Sequence, residues 1–157
     1  MALVDSPRED FRNSTAINAR PPVSTTPLTG YVQWPFYRLT EDGCMKRLNV
    51  LFVCSRNQWR SPTAEAVYRD DPRVSVRSRG TASAARRTVC SADLAWADVV
   101  LVMEPQHRKR LVADFPSETK DLSIHVLDIP DDYAFMSPEL VEQIKSASEP
   151  IIDALCL

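Results

Sequence analysis

Cys54 and Arg60 lie in the stretch VLFVCSRNQWRSPTAEAVY, where they form a C-x5-R-S pattern. A thiolate and a guanidinium at one site suit attack on phosphorus. Sulfur is the nucleophile, while the planar fork of arginine holds two phosphate oxygens and follows their charge into the transition state. Taken alone, the spacing is weak evidence, because cysteine and arginine meet at this distance by chance. Its setting adds weight. Cys54 ends the apolar run LNVLFVC, and Ser61-Pro62 then marks a helix start. Serine suits the cap, proline the first turn, and Glu65 the positive end of the helix dipole. A strand–loop–helix turn aims successive backbone N–H groups at one point, and the dipole adds positive potential there. The loop is thus an anion cradle that favours the thiolate form of a cysteine at its mouth. Ser61 is placed to donate its hydroxyl to that thiolate. Asn57 suits a left-handed or turn conformation that pins the loop.

Thiolate cleavage of a phosphate ester also needs a proton for the leaving oxygen and then a base for water. The segment LDIPDDY offers three carboxyl groups after an apolar run: Asp128, Asp131 and Asp132. His107 and His125 read as ordinary surface or strand residues, since this chemistry needs no histidine.

These groups need elements that bring their loops together. From Met45 onward, strand and helix patterns alternate. Residues 48–54 read as a buried parallel strand. A helix runs from Ser61-Pro62 to about Asp70, and VSVRSRG (74–80) alternates as a half-buried strand ending at Gly80. A helix around 88–96 leads into an apolar strand at 97–103. Another helix opens at Pro105 and runs to about Asp114, followed by a strand at 123–129. The last helix begins near Ser137-Pro138, with Leu140, Ile144, Ala147 and Ile151 on one stripe. Pro150 predicts a kink or break at Glu149. The fold class is therefore α/β: a small parallel sheet of about four strands with helices on both faces. In such sheets ligands sit beyond the carboxyl ends of the strands, which points to the loops after Cys54, Met103 and Ile129.

The cysteine segment resembles the low-molecular-weight protein tyrosine phosphatase family, whose loop reads C-x-x-N-x-x-R-S-P followed by A-E. Cys54, Asn57, Arg60, Ser61, Pro62, Ala64 and Glu65 stand at the matching offsets. The likeness extends through Ser78-Arg79-Gly80, ADVVLVME and DIPDDY, and covers most of residues 46–157. It implies a metal-free, cofactor-free phosphomonoesterase acting through a phosphocysteine. Phosphotyrosine is the first substrate class, either a phosphorylated protein or a small phosphomonoester. The family's acid is an Asp two residues before an aromatic, which assigns the role to Asp131, with Tyr133 lining the slot and Asp132 as runner-up. Ser55, Arg56, Asn57, Gln58, Trp59 and Ser61 become the phosphate- and substrate-binding candidates, Arg56 also reading as a solvated charge. The chain departs from the pattern at three places. Ala134 follows Tyr133 where a second aromatic is common, Trp59 stands where many relatives carry a second cysteine, and the connection from Gly80 to Asp93 is short.

The totals fit one ordinary soluble domain: 157 residues, 44% hydrophobic, 25% charged, net charge −2. That balance gives no reason to expect a nucleic-acid groove or an anionic membrane surface. Without an apolar span or a secretory pattern, the expected compartment is cytoplasmic. Cys44, Cys54, Cys90 and Cys156 show no metal-ligand spacing, and Cys90 and Cys156 read as structural thiols. Residues 1–44 are rich in Pro, Ser and Thr and read as an irregular or disordered extension before a domain at 45–157. Within them Tyr31, Val32, Trp34, Phe36 and Tyr37 form an aromatic cluster, and Met45 reads as a natural start for the domain. The Arg86-Arg87 and Arg108-Lys109-Arg110 clusters read as solvated faces. Two other functions use the same loop. A thiol-linked arsenate reductase would require a resolving cysteine, with Cys90 the one available, and a non-catalytic module would bind phosphate without releasing it.

Overall fold

A computed structural model describes residues 46–156. The readings made on residues 1–44 and on Met45 lie outside the described residues. The elements follow in the order β1 (Leu48–Cys54), α1 (Arg60–Tyr68), β2 (Val74–Gly80), α2 (Ser91–Trp96), β3 (Val99–Val102), α3 (Pro105–Asp114), α4 (Pro116–Thr119), β4 (Ser123–Val126) and α5 (Pro138–Cys156). The four strands form one sheet in the order β2-β1-β3-β4, with every neighbouring pair parallel.

The sheet is covered on both faces because its central strands are apolar on both. Val50, Phe52 and Cys54 of β1 and Val99, Leu101 and Met103 at β3 join Ala64 and Tyr68 of α1 and the apolar stripe of α5. Leu51, Val53, Val100 and Val102 point the other way, toward Leu94 of α2 and Leu111 of α3. This is the strand period of two read on both sides. The chain leaves β1 for β2 on one side and returns to β3 on the other. The order therefore reverses beside β1, and the loops after β1 and β3 open a crevice at their carboxyl ends.

Several boundaries differ from the sequence reading. Thr88 pairs with Gly80 in an isolated bridge, so the helix expected from 88 begins at Ser91. The fourth strand ends at Val126, three residues early. Asp128 turns the backbone to φ 56, although Leu127 and Ile129 still donate to the Val102 and Met103 carbonyls at 2.8 Å. The short α4 was not anticipated.

Of the kink or break expected at Glu149, the break is overturned: α5 runs unbroken through Pro150. Pro150 sits on the exposed side, so the carbonyl it cannot bond faces water. Both flanks are held, with Ile144, Ser148, Ile152 and Cys156 in a buried row. On the outside, Arg73 reaches Glu149 at 3.2 Å and Asp153 at 2.6 Å, across the proline. Among the described residues, no helix is long and apolar enough to cross a membrane.

Candidate active site

The loop between β1 and α1 closes on the sulfur of Cys54. The Asn57 N–H donates to Sγ at 3.2 Å, and Ser61 Oγ lies 3.0 Å from it. Asn57 reaches this position in the left-handed region, at φ 54, which asparagine tolerates because its short polar side chain bonds locally. Its side-chain amide donates to Ser61 Oγ and to Ser78 Oγ, each at 3.0 Å, and Ser78 in turn donates to the Glu65 carboxylate. Ser61 therefore accepts from Asn57 and keeps one proton. The Arg79 carbonyl competes for that proton at 3.3 Å, but the shorter contact runs to Cys54. Two donors converge on one buried sulfur.

Ser61 is not the helix cap that the sequence implied. α1 starts at Arg60, with Trp59 at the cap position and no side-chain bond there. Nor does Glu65 stand in the first turn. It lies one turn further on, where it serves Ser78 rather than the dipole.

Arg60 is 2% exposed, a buried guanidinium that must be held. Its Nη1 donates to Glu104 Oε2 and to the Ile129 carbonyl, both at 2.8 Å. The loops after β1 and β3 and the segment after β4 thus meet on one side chain. Among the described residues, Nε has no hydrogen-bond partner. Asp131 Oδ1 lies 3.0 Å away as an ion pair, but off the N–H axis. Burial opposes ionisation of Glu104, yet the hydrogen bonds from Arg60 and Gln106 outweigh it and hold the carboxyl below its ordinary range.

His107, read from the sequence as an ordinary surface or strand residue, is instead joined to the phosphate loop. It is buried in the first turn of α3. The Glu104 N–H donates to its Nδ1 at 3.1 Å, so the ring proton sits on Nε2, which donates to Ser55 Oγ at 2.7 Å. Burial lowers the pKa of the ring and the Arg60 charge lowers it further, against the opposing pull of Glu104 and Asp131. A neutral imidazole thereby ties α3 to the phosphate loop. The signal available was its place, four residues past Met103 in one of the three loops singled out. Glu104 could have been found the same way, as a carboxylate at a strand's carboxyl end.

Gly80 supports the loop from outside. A Cβ there would meet the Ser55 carbonyl oxygen at 2.6 Å, Ala85 Cβ at 2.5 Å and the Asn57 nitrogen at 3.1 Å. The following segment tracks the loop, with Thr81, Ala82 and Arg86 donating to the Cys54, Ser55 and Arg56 carbonyls at 2.9, 2.9 and 3.1 Å.

Above the sulfur lies an open pocket of about 280 Å³ lined by Cys54, Arg56, Gln58, Trp59, Arg60 and Asp131. Trp59 is 47% exposed and forms part of its wall. Ser55, Asn57 and Ser61 do not line the pocket. Asp128 and Asp132 are exposed and line no part of it. Tyr133 does not line it either. Its ring packs on the core and its hydroxyl accepts from Gln143 at 2.5 Å. Cys90 caps α2 and donates to Asp93 at 3.2 Å. No group of three or more His, Cys, Asp or Glu placed to hold a metal ion occurs among the described residues.

No family model and no curated protein matches the chain. Solved structures do. The low-molecular-weight phosphotyrosine phosphatase VcLMWPTP-2 of Vibrio cholerae O395 is 23% identical, covering 69% of this chain and 96% of its own, with a TM-score of 0.57. Wzb of Vibrio vulnificus, in complex with benzylphosphonate, is 22% identical over 69% of this chain and 99% of its own, at 0.56. A YwlE arginine phosphatase mutant with a phosphorylated active-site serine is 21% identical over 69% and 93%, at 0.52. At these identities the likeness establishes the fold, which this chain shares with the low-molecular-weight phosphatases.

Proposed function

We propose that the chain is a cysteine-dependent phosphomonoesterase, most readily a protein tyrosine phosphatase, that works without metal through a phosphocysteine intermediate. One observation carries the reading. The buried Arg60 Nε is left without a hydrogen-bond partner in the pocket that holds Cys54, while its Nη1 is tied down elsewhere. The ion pair with Asp131 at 3.0 Å offsets part of the cost of its burial but leaves the N–H itself unbonded. An anion above the sulfur would satisfy it.

Substrate phosphate enters with its oxygens on Arg60 and the loop N–H groups. The Cys54 thiolate attacks phosphorus, the bond to the ester oxygen breaks, and Asp131 passes its proton to that oxygen. Water then attacks the phosphocysteine, giving its proton back to Asp131. Sulfur leaves as thiolate, eased by the Ser61 hydroxyl and the Asn57 N–H. Asp131 suits the acid role better than Asp132 because it alone of the two lines the pocket. In this structure its carboxylate rests by Arg60 Nε, so an entering phosphate displaces it toward the leaving group. Glu104 and His107 are positioning residues, the first for Arg60 and the second for Ser55. The exposed Trp59 ring at the pocket wall suits an aromatic ester, and two of the matched structures bear tyrosine phosphatase names or a benzyl ligand. That YwlE is an arginine phosphatase makes phosphoarginine the competing substrate.

The test is chelator-resistant hydrolysis of p-nitrophenyl phosphate by the full chain. Turnover abolished in Cys54→Ser and strongly reduced in Asp131→Ala supports both roles. A harmless Asp131→Ala would pass the acid role to Asp132. A folded wild type that binds phosphate without releasing it from an ester would overturn the enzyme reading in favour of a binding module.

A further inference from the structure

Beside the phosphate pocket lies a second, larger hollow of about 500 Å³, walled by Pro62 and Glu65 of α1, by Arg69 just past its end, by Arg86 and Arg87, and by Phe135. Its charge is mainly positive, three arginines against the one carboxylate of Glu65. Arg69, Arg86 and Arg87 are all exposed. Glu65 lies 3.7 Å from Arg87, but its carboxylate already accepts from Ser78. Among the described residues, neither Arg69 nor Arg86 pairs with a carboxylate, and neither does Arg56 at the edge of the first pocket. Arg73, Arg77, Arg79 and Arg110, by contrast, each meet one.

The two hollows share the crest of the phosphate loop. Arg56 and Gln58 line the first and Asn57, between them, lines the second. The Arg86 N–H holds the Arg56 carbonyl at 3.1 Å, so the basic strip is anchored to the loop itself. Phe135, 52% exposed, adds an apolar surface to the same hollow. From Pro62 to Arg69 the helix advances about 10 Å, at 1.5 Å per residue. About three residues of an extended peptide span that distance.

We propose that this groove docks acidic side chains flanking the phosphorylated residue of a protein substrate, with carboxylates on Arg69, Arg86 and Arg87 and an apolar stem on Phe135. The inference rests on the phosphatase reading and narrows its substrate class. Arg86 and Arg87 touch no reacting atom, so their loss leaves the chemistry alone.

The experiment compares kcat/KM of the full-length chain on three phosphotyrosine peptides of one length, with Asp/Glu, Ser/Ala or Lys flanks, alongside p-nitrophenyl phosphate. At low salt the acidic peptide is expected to exceed the neutral one by about fivefold, the sum of two exposed pairs. The preference should shrink below about twofold in the double variant Arg86→Ala/Arg87→Ala, and in about 0.5 M salt. Hydrolysis of p-nitrophenyl phosphate should be unchanged in that variant, which also reports that it folds. Equal rates on acidic and neutral peptides, or a preference that survives the double variant, would overturn the docking proposal while leaving the phosphatase reading intact. The converse failure is separable. Binding of the same peptides to Cys54→Ser, read by fluorescence anisotropy, needs no turnover, and its ranking decides docking even if the wild type hydrolyses nothing.

Discussion

The contacts on the Cys54 sulfur make sense of residues that take no part in bond breaking. Ser61 is the clearest, since its one proton serves Sγ while its oxygen accepts from Asn57. Ser61→Ala removes a hydrogen bond to a charged group and leaves the loop backbone in place. It is expected to slow phosphate release by about tenfold or more and, because the buried Asn57 amide loses an acceptor, to cost about 1–3 kcal/mol of stability, checked by steady-state assay and thermal unfolding. Gly80 acts through space rather than through a bond. Besides Ala85 Cβ, its neighbours are the loop's own backbone, which cannot yield without moving the Asn57 N–H off the sulfur. Gly80→Ala is therefore expected to cost about 1–3 kcal/mol of stability and most of the turnover, measured by urea unfolding beside the same assay. A variant with normal kcat and stability would show that the loop has slack the contacts do not suggest.

At the level of elements, β1 and α1 are the pair that make the loop, and their apolar faces pack its two ends together. Phe52 of β1 stacks on Tyr68 of α1, ring centroids 5.8 Å apart and planes 11° from parallel. Tyr68 also bonds Ser148 of α5 at 2.8 Å, and burial pushes its hydroxyl pKa up to about 12. The helix under the phosphate loop is thus clamped to the last helix. α5 in turn carries a proline it does not need for its shape. Because Pro150 is exposed and the helix runs unbroken through it, Pro150→Ala restores one backbone bond without a new clash. The expected gain is about 1–3 kcal/mol, read from the midpoint of a denaturant curve with unchanged slope. A loss of stability instead would mean that the proline limits the unfolded chain more than it strains the helix.

Across the whole molecule, the shifted groups near the site and sheet edge act with one sign. Hydrogen bonds from Arg73 hold Asp71 low. Burial opposes ionisation of Asp93 and Glu104, but Arg79 and Arg60 prevail and lower both. His107 is lowered as well, chiefly by burial. For each, the unfolded chain takes up a proton before the folded one does, so stability rises with pH over that interval. His107 contributes in full above the ordinary histidine value near 6.5. Its contribution is lost as pH falls below that value, and the carboxylates follow at lower pH. The melting temperature of the full chain is expected to fall on acidification in two stages, and His107→Gln should flatten the upper one. A variant whose profile between pH 7.5 and 5 matches the wild type would remove the imidazole from that account.

The sequence by itself determined the sheet, the strand–loop–helix turn and the identity of the groups at its mouth. These depend on local pattern: a β-branched run buried on both sides, a Ser-Pro turn, and fixed offsets from Cys54 to Arg60. It also showed which three loops would meet. Only the tertiary structure decided what those loops do to one another. Glu104 holds Arg60 across a sequence separation of 44, and His107 orients Ser55 across 52. Tyr133 turned to the core, and Pro150 was absorbed, because partners far along the chain fill those positions. Long-range packing sets burial, and burial decides whether a polar residue becomes part of the site or stays in solvent. No local period carries that information.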